Sequence, residues 1–422
     1  MSSRVLIIAP HGSYRTSAFI KAAHDLKLDV LIASEGKHSI VSEYAQGLHI
    51  HFNDEAASLK LIRDEASKIP FKAIIGTDDS STELAAKASA ALNLPHNPLT
   101  AVTFGRRKDL ARQCLAQHNV PVPKFRLIHL DGTLEPQLEE IEYPVVVKPV
   151  ALSGSRGVIR ANDQSELIQA IDRVTVILEN EGDLPYEVKH TLLVESFIAG
   201  DEVAVEGILN HGELEILSVF DKPDPLDGPF FEETYYITPS RHSKETLTQL
   251  HQVIEDACRA YGLIEGPIHA ECRINDSAVW ILEVAARTIG GLCGRLLQFG
   301  TGYSLEELVL TRAMGQQLSV ESDQDKTAGG VMMIPTPKAG ILKRVEGQFE
   351  ASRIEFIESI EIQIREGYEL VPLPESANYL GFIFARAPSA EQAEAALRKA
   401  YACLNIVIAP MWKIQGDIHA AI

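Results

Sequence analysis

The sequence predicts an α/β protein: a parallel β-sheet flanked by helices comes first, and mixed α/β structure follows. Two observations carry this. Apolar, β-branched runs alternate with amphipathic helical stretches up to residue 94, the pattern of a parallel sheet with helices on both faces. Beyond residue 140 the runs instead follow one another as strand–turn–strand units, with single helices between them. At 422 residues the chain is too long for one ordinary core, so two to four domains are expected.

RVLIIAP (4–10) reads as a buried strand, followed by the loop HGSYR and the helix SAFIKAAHDLKL. DVLIAS (29–34) and LHIHF (48–52) are further strands, SLKLIRDEASKI is a helix, and KAIIGTDD (72–79) is a strand ending in acids. STELAAKASAALNL is the next helix. Ligands of parallel sheets lie beyond the strands' carboxyl ends. His11, Ser13, Tyr14, Arg15, Asp78 and Asp79 occupy such ends. They contact a substrate or cap helices, Ser13 and Asp79 especially. No GxGxxG follows the first strand, which argues against a dinucleotide site.

NPLTAV (97–102) looks like a boundary, and FGRRKDLARQCLAQHNVPVPKFRLI gives a helix, a proline-bounded turn and a strand. YPVVVKPVALSGSRGVIRA (143–161) is more informative. Lys148 interrupts an apolar strand, where a lysine either snorkels or meets an anion. Gly154 and Gly157 in the following SGSRGV loop would let backbone N–H groups approach phosphate oxygens closely, or they mark an ordinary hairpin turn. The loop lacks the GKS or GKT ending of a Walker A motif. DQSELIQAIDRVTVILEN (163–180) is an amphipathic helix, and TLLVESFIAGDEVAVEGIL (191–209) is strand, connector, strand. FDKPDPLDGPFFEETYYITPSR (220–241) reads as a long functional loop. SKETLTQLHQVIEDACRAYGL (243–263) is a helix ending at Gly262, and GYSLEELVLTRAMGQ (302–316) is another, capped by Ser304. ESDQDKTAGG (321–330) is a polar linker. The tail alternates strands with one helix (389–404) and shows no catalytic cluster.

The densest chemistry lies in IHAECRINDSAVWILEVAARTIGG (268–291), a hairpin followed by a small-residue turn. His269, Glu271 and Arg273 share one face of its first strand; Glu283, Ala285 and Arg287 share one face of the second. The two faces coincide when the connecting loop has an odd number of residues. Such charges need partners when buried. Either they hold Mg²⁺ together with nucleotide phosphate, or they form a buried Glu–Arg network that shapes the core.

Composition narrows the function. The net charge is −19, with 39 basic and 58 acidic residues, and the longest basic run is GRRK (105–108). That disfavours nucleic acid and anionic membranes as partners. Five scattered cysteines lack metal-ligand spacing, and their odd count argues against a disulfide framework, so a reducing cytoplasm is expected. The N-terminus lacks a signal-peptide pattern, and no run approaches the roughly 20 apolar residues of a membrane span.

RRKDLARQCL, YPVVVKP, ALSGSRGV, LVESFIAGDE, FDKPDP and HAECR…ILEVAARTIGG, in that order over roughly 106–300, resemble the ATP-grasp superfamily. The EVAARTIGGL turn, the 221–241 loop and the His-x-Glu pair resemble its L-amino-acid ligase branch, which is related to biotin carboxylase and to the large-chain domains of carbamoyl-phosphate synthase. The resemblance implies three parts. These are a Rossmann-like domain (1–104), an ATP-grasp domain of two α+β subdomains gripping ATP (105–318, its lid about 122–200) and a mixed C-terminal domain (319–422). By the same resemblance, Lys108, Lys148 and the loop Ser153, Gly154, Ser155 and Gly157 contact ATP phosphates. Glu195, Ser196, Phe197 and Ile198 hold adenine, and Glu202 holds the ribose. Lys222 sits near the γ-phosphate, Glu271 and Glu283 bind one or two Mg²⁺ ions (Mn²⁺ being an alternative), and Arg287 stabilises an acyl phosphate. His269 orients phosphate, takes a proton from the amine, or is a hydrogen-bonded core histidine. Many members carry Asn as a third ligand where this chain has Ala285, which implies thinner metal coordination. The implied activity joins a small-molecule carboxylate to an amine, both expected to be amino acids, with ADP and phosphate released. A homodimer is the family-based expectation. A carboxylase-type or purine-pathway ligase, or a non-catalytic ATP-binding protein, are the alternatives.

Overall fold

A computed structural model describes residues 4–35, 46–182, 184–316 and 327–411. Strands β1 (Arg4–Ile8), β2 (Asp29–Ser34), β3 (Gln46–His49) and β4 (Ala73–Gly76) form a parallel sheet in the order β3-β2-β1-β4. β1 is buried throughout, as a strand covered on both faces must be. The third strand ends at His49, earlier than the LHIHF run suggests. Neither Ser13 nor Asp79 caps a helix. Tyr14 precedes the helix Arg15–Asp25, and Ser13 Oγ instead donates to Asp78 Oδ2 at 2.6 Å. Asp78 is the N-cap of the helix Asp79–Ala91, and its N–H donates to Ser81 Oγ. Asp79 is thereby left to point elsewhere.

A second, antiparallel sheet has the order β5-β8-β6-β7, from β5 (Phe125–His129), β6 (Val145–Pro149), β7 (Ile159–Ala161) and β8 (Thr191–Ser196). The helix Gln164–Glu179, capped by Asp163, lays Leu167, Ile171, Val174 and Leu178 against Val145, Val147, Ile159 and Val194. That helical spacing presents one apolar stripe to the sheet.

The third sheet has eight strands in the order β13-β12-β9-β10-β11-β14-β18-β16. They are β9 (Asp201–Asn210), β10 (Glu213–Lys222), β11 (Tyr235–Thr238), β12 (Glu265–Ile274), β13 (Val279–Ala285), β14 (Ala328–Ile334), β16 (Ile357–Ile362) and β18 (Gly381–Ala387). β15 (Gly340–Glu346) pairs with β17 (Glu369–Leu370) and β19 (Asn405–Ala409) in a smaller sheet. The expected long loop at 220–241 is shorter than the sequence suggests: 220–222 finish β10, and Tyr235–Thr238 pair with Gly329–Met332. A partner strand far along the chain provides room for this strand. A Cβ at Gly330 would lie 2.9 Å from Ile237 and 2.8 Å from Leu397. The β11–β14 pairing carries the sheet across the expected boundary at 318–319, which itself lies outside the described residues. The expected linker lies outside them at 321–326, while Ala328–Gly330 belong to β14.

Candidate active site

The hairpin β12–β13 is present, but its loop, 275–278, has four residues, an even number. Arg273↔Trp280 and Cys272↔Ile281 continue that register, which would set Glu271 opposite Leu282. A one-residue bulge intervenes, and Glu271 faces Glu283 instead, with His269 facing Ala285. Leu282, skipped by the ladder, gives its carbonyl to Arg112. The bulge therefore brings the two carboxylates together where the loop parity would not.

β9 and β10 extend the charged patch. Glu202, Ala204 and Glu206 alternate onto one face of β9, directly across from Arg273, Glu271 and His269. Arg273 Nε lies 2.9 Å from Glu202 Oε2, and Lys222 Nζ lies 2.9 Å from Glu202 Oε1. Lys222 also meets Glu271 at 3.1 Å and Glu233 at short range. Only 6% exposed, it sits beneath these carboxylates rather than on the cavity wall, contrary to its expected place beside a γ-phosphate. Both Glu202 oxygens, expected to hold a ribose, already carry a cation, although each keeps a second lone pair. Burial and the charge of Glu271 raise the Glu233 carboxyl. Burial also opposes ionisation of Glu271, but Lys222 and His269 prevail and hold it well below the usual carboxylate range. His269 Nδ1 lies 2.6 Å from Glu206 Oε1, and its Nε2 lies 3.5 Å from Glu271. Burial disfavours its charge, yet the two carboxylates push it up to about 9.

On the opposite side, Lys108 begins the helix Lys108–Gln117. Its Nζ donates to the Leu152 carbonyl and lies 3.0 Å from Glu283. Lys148 reaches Glu195 at 2.6 Å, and Arg112 completes a buried triad with that carboxylate. The Ser153–Gly157 loop has positive φ at Gly154 (65°), Ser155 (56°) and Gly157 (68°). Ser153, Gly154 and Ser155 line the cavity, whereas the Gly157 N–H is committed to the Pro374 carbonyl at 2.9 Å. The N–H groups of Ser196 and Phe197 go to Lys124 and Pro144, so those two donors are not free for a base edge.

Arg287 is fixed by the helix Asp79–Ala91 that follows β4, its Nε donating to Asp79 at 2.9 Å; its Nη2 stands 4.0 Å from Glu283. Tyr14 Oη accepts the Gly291 N–H, and Arg15 donates to the Ile289 carbonyl while pairing with Asp78. Arg106 pairs with Glu83 at 3.3 Å. These groups open onto one cavity of about 950 Å³. His11, expected near a ligand, is not on its wall.

The sequence reading missed several groups. Glu206 could have been found by its four-residue spacing from Glu202, which puts both on one face of a strand. Glu233 lay within a stretch read only as loop. The tail, which shows no cluster in sequence, supplies a wall of Gln363, Arg365, Tyr368, Asn378 and Tyr379. Among the described residues, one group of three carboxylates is close enough to share an ion, Glu202, Glu233 and Glu271, and it does not include Glu283.

Residues 141–295 match a model of the ATP-grasp domain, and residues 332–409 match a model of the L-amino acid ligase C-terminal domain 2. An uncharacterized protein of Sinorhizobium fredii, y4rH, is 26% identical over 78% of this chain and 65% of its own length. Dapdiamide A synthase of Enterobacter agglomerans is 25% identical over 58% of each chain. The chain thus spans less than two thirds of the length of these curated relatives. The crystal structure of an L-amino acid ligase from Bacillus licheniformis is 27% identical, with a TM-score of 0.81 over 97% of this chain and 99% of that one.

Proposed function

We propose that this chain, which carries an ATP-grasp domain followed by an L-amino acid ligase C-terminal domain, is an ADP-forming ligase. It joins the carboxylate of one L-amino acid to the amine of a second substrate through an acyl phosphate. One observation carries the reading. A single cavity gathers two lysines, a left-handed glycine loop, the facing carboxylates Glu271 and Glu283, and Arg287.

The wall suits ATP. Lys108 and Lys148 are cations that rest on carboxylates and can turn to phosphate oxygens, and the left-handed loop Ser153–Ser155 brings its main chain to the cavity wall. Phe197, Ile198 and Leu282 give an apolar slot for the base. The donor chemistry of Glu271 and Glu283 suits Mg²⁺, with Mn²⁺ as an alternative. A bound ion there would neutralise phosphate oxygens. Ala285 offers no side-chain oxygen, so the hairpin supplies two carboxylates to one or two ions.

A carboxylate oxygen of the first substrate attacks the γ-phosphorus and ADP leaves. The neutral amine then attacks the acyl carbon, phosphate departs with that oxygen, and the proton the nitrogen loses goes to the departing phosphate or to water. Arg287, oriented by Asp79, faces the charge that develops on the acyl oxygens. His269, held protonated between Glu206 and Glu271, anchors Glu271 rather than accepting a proton from the amine. The lid closes the site against water, which would otherwise consume the acyl phosphate. Five free cysteines, four of them buried, fit a reducing cytoplasm.

Phosphate release from Mg-ATP, scanned over all single and paired L-amino acids with product mass, tests the reading. Release that requires two substrates and yields an amide is expected. Release driven by bicarbonate without an amino acid would overturn it.

A further inference from the structure

Besides His269, which is held between Glu206 and Glu271, seven arginine and lysine side chains line the cavity. Arg15, Arg106, Lys108, Lys148, Arg273 and Arg287 each rest against a carboxylate. The seventh, Arg365, has neither an ion pair nor a side-chain hydrogen bond among the described residues. Glu366 and Glu369 lie on the same segment and make no ion pair with it. The segment is anchored: Gln363 N–H donates to the Leu380 carbonyl and Gly367 N–H to the Leu342 carbonyl, both at 2.8 Å. Arg365 thus presents an exposed, unpaired guanidinium from an anchored segment of the cavity wall. It attracts anions, and its planar fork matches a carboxylate through two parallel hydrogen bonds.

We propose that Arg365 determines specificity on the amine side, by binding the free carboxylate of the amino acid whose amine attacks. The inference rests on the ligase reading above. In that reading Lys108 and Lys148 serve the phosphates and Arg287 serves the acyl group, so the amine substrate's carboxylate has no other unpaired cation on the wall. Arg365 comes from the tail, as do Tyr379 and Phe382, and these tail residues share the cavity with the Gly290–Leu292 turn that follows Arg287. Ile364 and Tyr368, on the same segment, give the attacking amino acid an apolar and aromatic surface. The amine substrate is therefore an amino acid or a peptide with a free C-terminus, not a simple amine.

The test compares the most active amine-side L-amino acid with its primary amide, in the wild type and in Arg365→Met and Arg365→Lys, with steady-state constants for each substrate. In the wild type the amino acid has the lower KM. Arg365→Met raises the KM for the amino acid by about 10–100-fold, the scale of hydrogen bonds to a charged group. It leaves the KM for the primary amide, ATP and the carboxylate-side substrate within twofold, and Arg365→Lys recovers part of the loss. An unchanged KM for the amino acid overturns the inference. So does a rise in the KM for ATP or for the carboxylate-side substrate, which would assign the guanidinium to another anion. A wild type that makes no amide from any pair sinks the ligase reading itself, and this inference with it.

Discussion

Replacing Glu195 by Gln removes the one anion between two inward-facing cations. Glu195 and Arg112 are each 1% exposed, and Lys148 Nζ lies 2.6 Å from the Glu195 carboxylate. Burial alone would raise this carboxyl, but Arg112 and Lys148 overcome it and hold it at about 2, against an ordinary 4.5. At 1.36 kcal/mol per tenfold in acidity, that corresponds to about 3 kcal/mol of native-state stabilisation. Breaking a buried ion pair costs about 3–5 kcal/mol by a separate route, mutational experience. Because the folded value is depressed, the contribution is complete above 4.5, declines as pH falls, and is gone below about 2. At pH 3 about 1.4 kcal/mol should remain. Guanidinium unfolding of the wild type and of Glu195→Gln, at pH 7 and pH 3, reads both values from the shift in midpoint at constant slope. Arg112 keeps the Leu282 carbonyl, so the variant folds, while Lys148 loses its rest position and the KM for ATP rises about tenfold. A loss below 1 kcal/mol at pH 7, or an equal loss at both pH values, would refute the electrostatic account.

Three further outcomes follow. Glu283→Gln lowers ATP turnover by about 10²–10³-fold, the scale for one transition-state charge contact, while circular dichroism and melting temperature stay close to wild type. A variant with full activity, or one that unfolds, contradicts the metal assignment. Glu375 carries Arg173 of the helix Gln164–Glu179 through two hydrogen bonds of 2.7 and 3.0 Å, but both side chains are about 40% exposed. Such a pair is worth at most about 1 kcal/mol. If, as proposed, the subdomain carrying this helix closes over the site, Glu375→Ala raises phosphate released without amide by about two- to fivefold, and no rise would show that this pair does not help hold it closed. Gly154→Ala meets a φ of +65° and an Ala377 Cβ at 2.8 Å. The left-handed backbone costs about 1–2 kcal/mol, so the KM for ATP rises about tenfold. Adding Ala377→Gly relieves the clash but not the backbone cost, and full recovery in the double variant would refute the conformational part.

What the sequence reveals is local. The hairpin, the lysine-bearing strand, the glycine loop and the capped helices each rest on short-range patterning, and the glutamates at 271 and 283 follow from two-residue alternation. Parity did not foretell the bulge at Leu282, because an even loop and an extra residue cancel only in three dimensions. YYIT read as loop because its partner strand lies about 95 residues further on. Capping propensity singled out Asp79, while the fold gives the cap to Asp78 and turns Asp79 to Arg287, 208 residues away. Arg365 and Tyr379 carry no motif. They matter only because the eight-stranded sheet continues into the tail and sets it against the hairpin turn.

The central claim is that a carboxylate oxygen is passed to the γ-phosphorus before the amide forms. Turnover of a substrate amino acid labelled with ¹⁸O in its carboxylate, with mass analysis of the phosphate released, tests this most directly. The account predicts one labelled oxygen per phosphate, in step with the amide formed. Unlabelled phosphate alongside amide would contradict it.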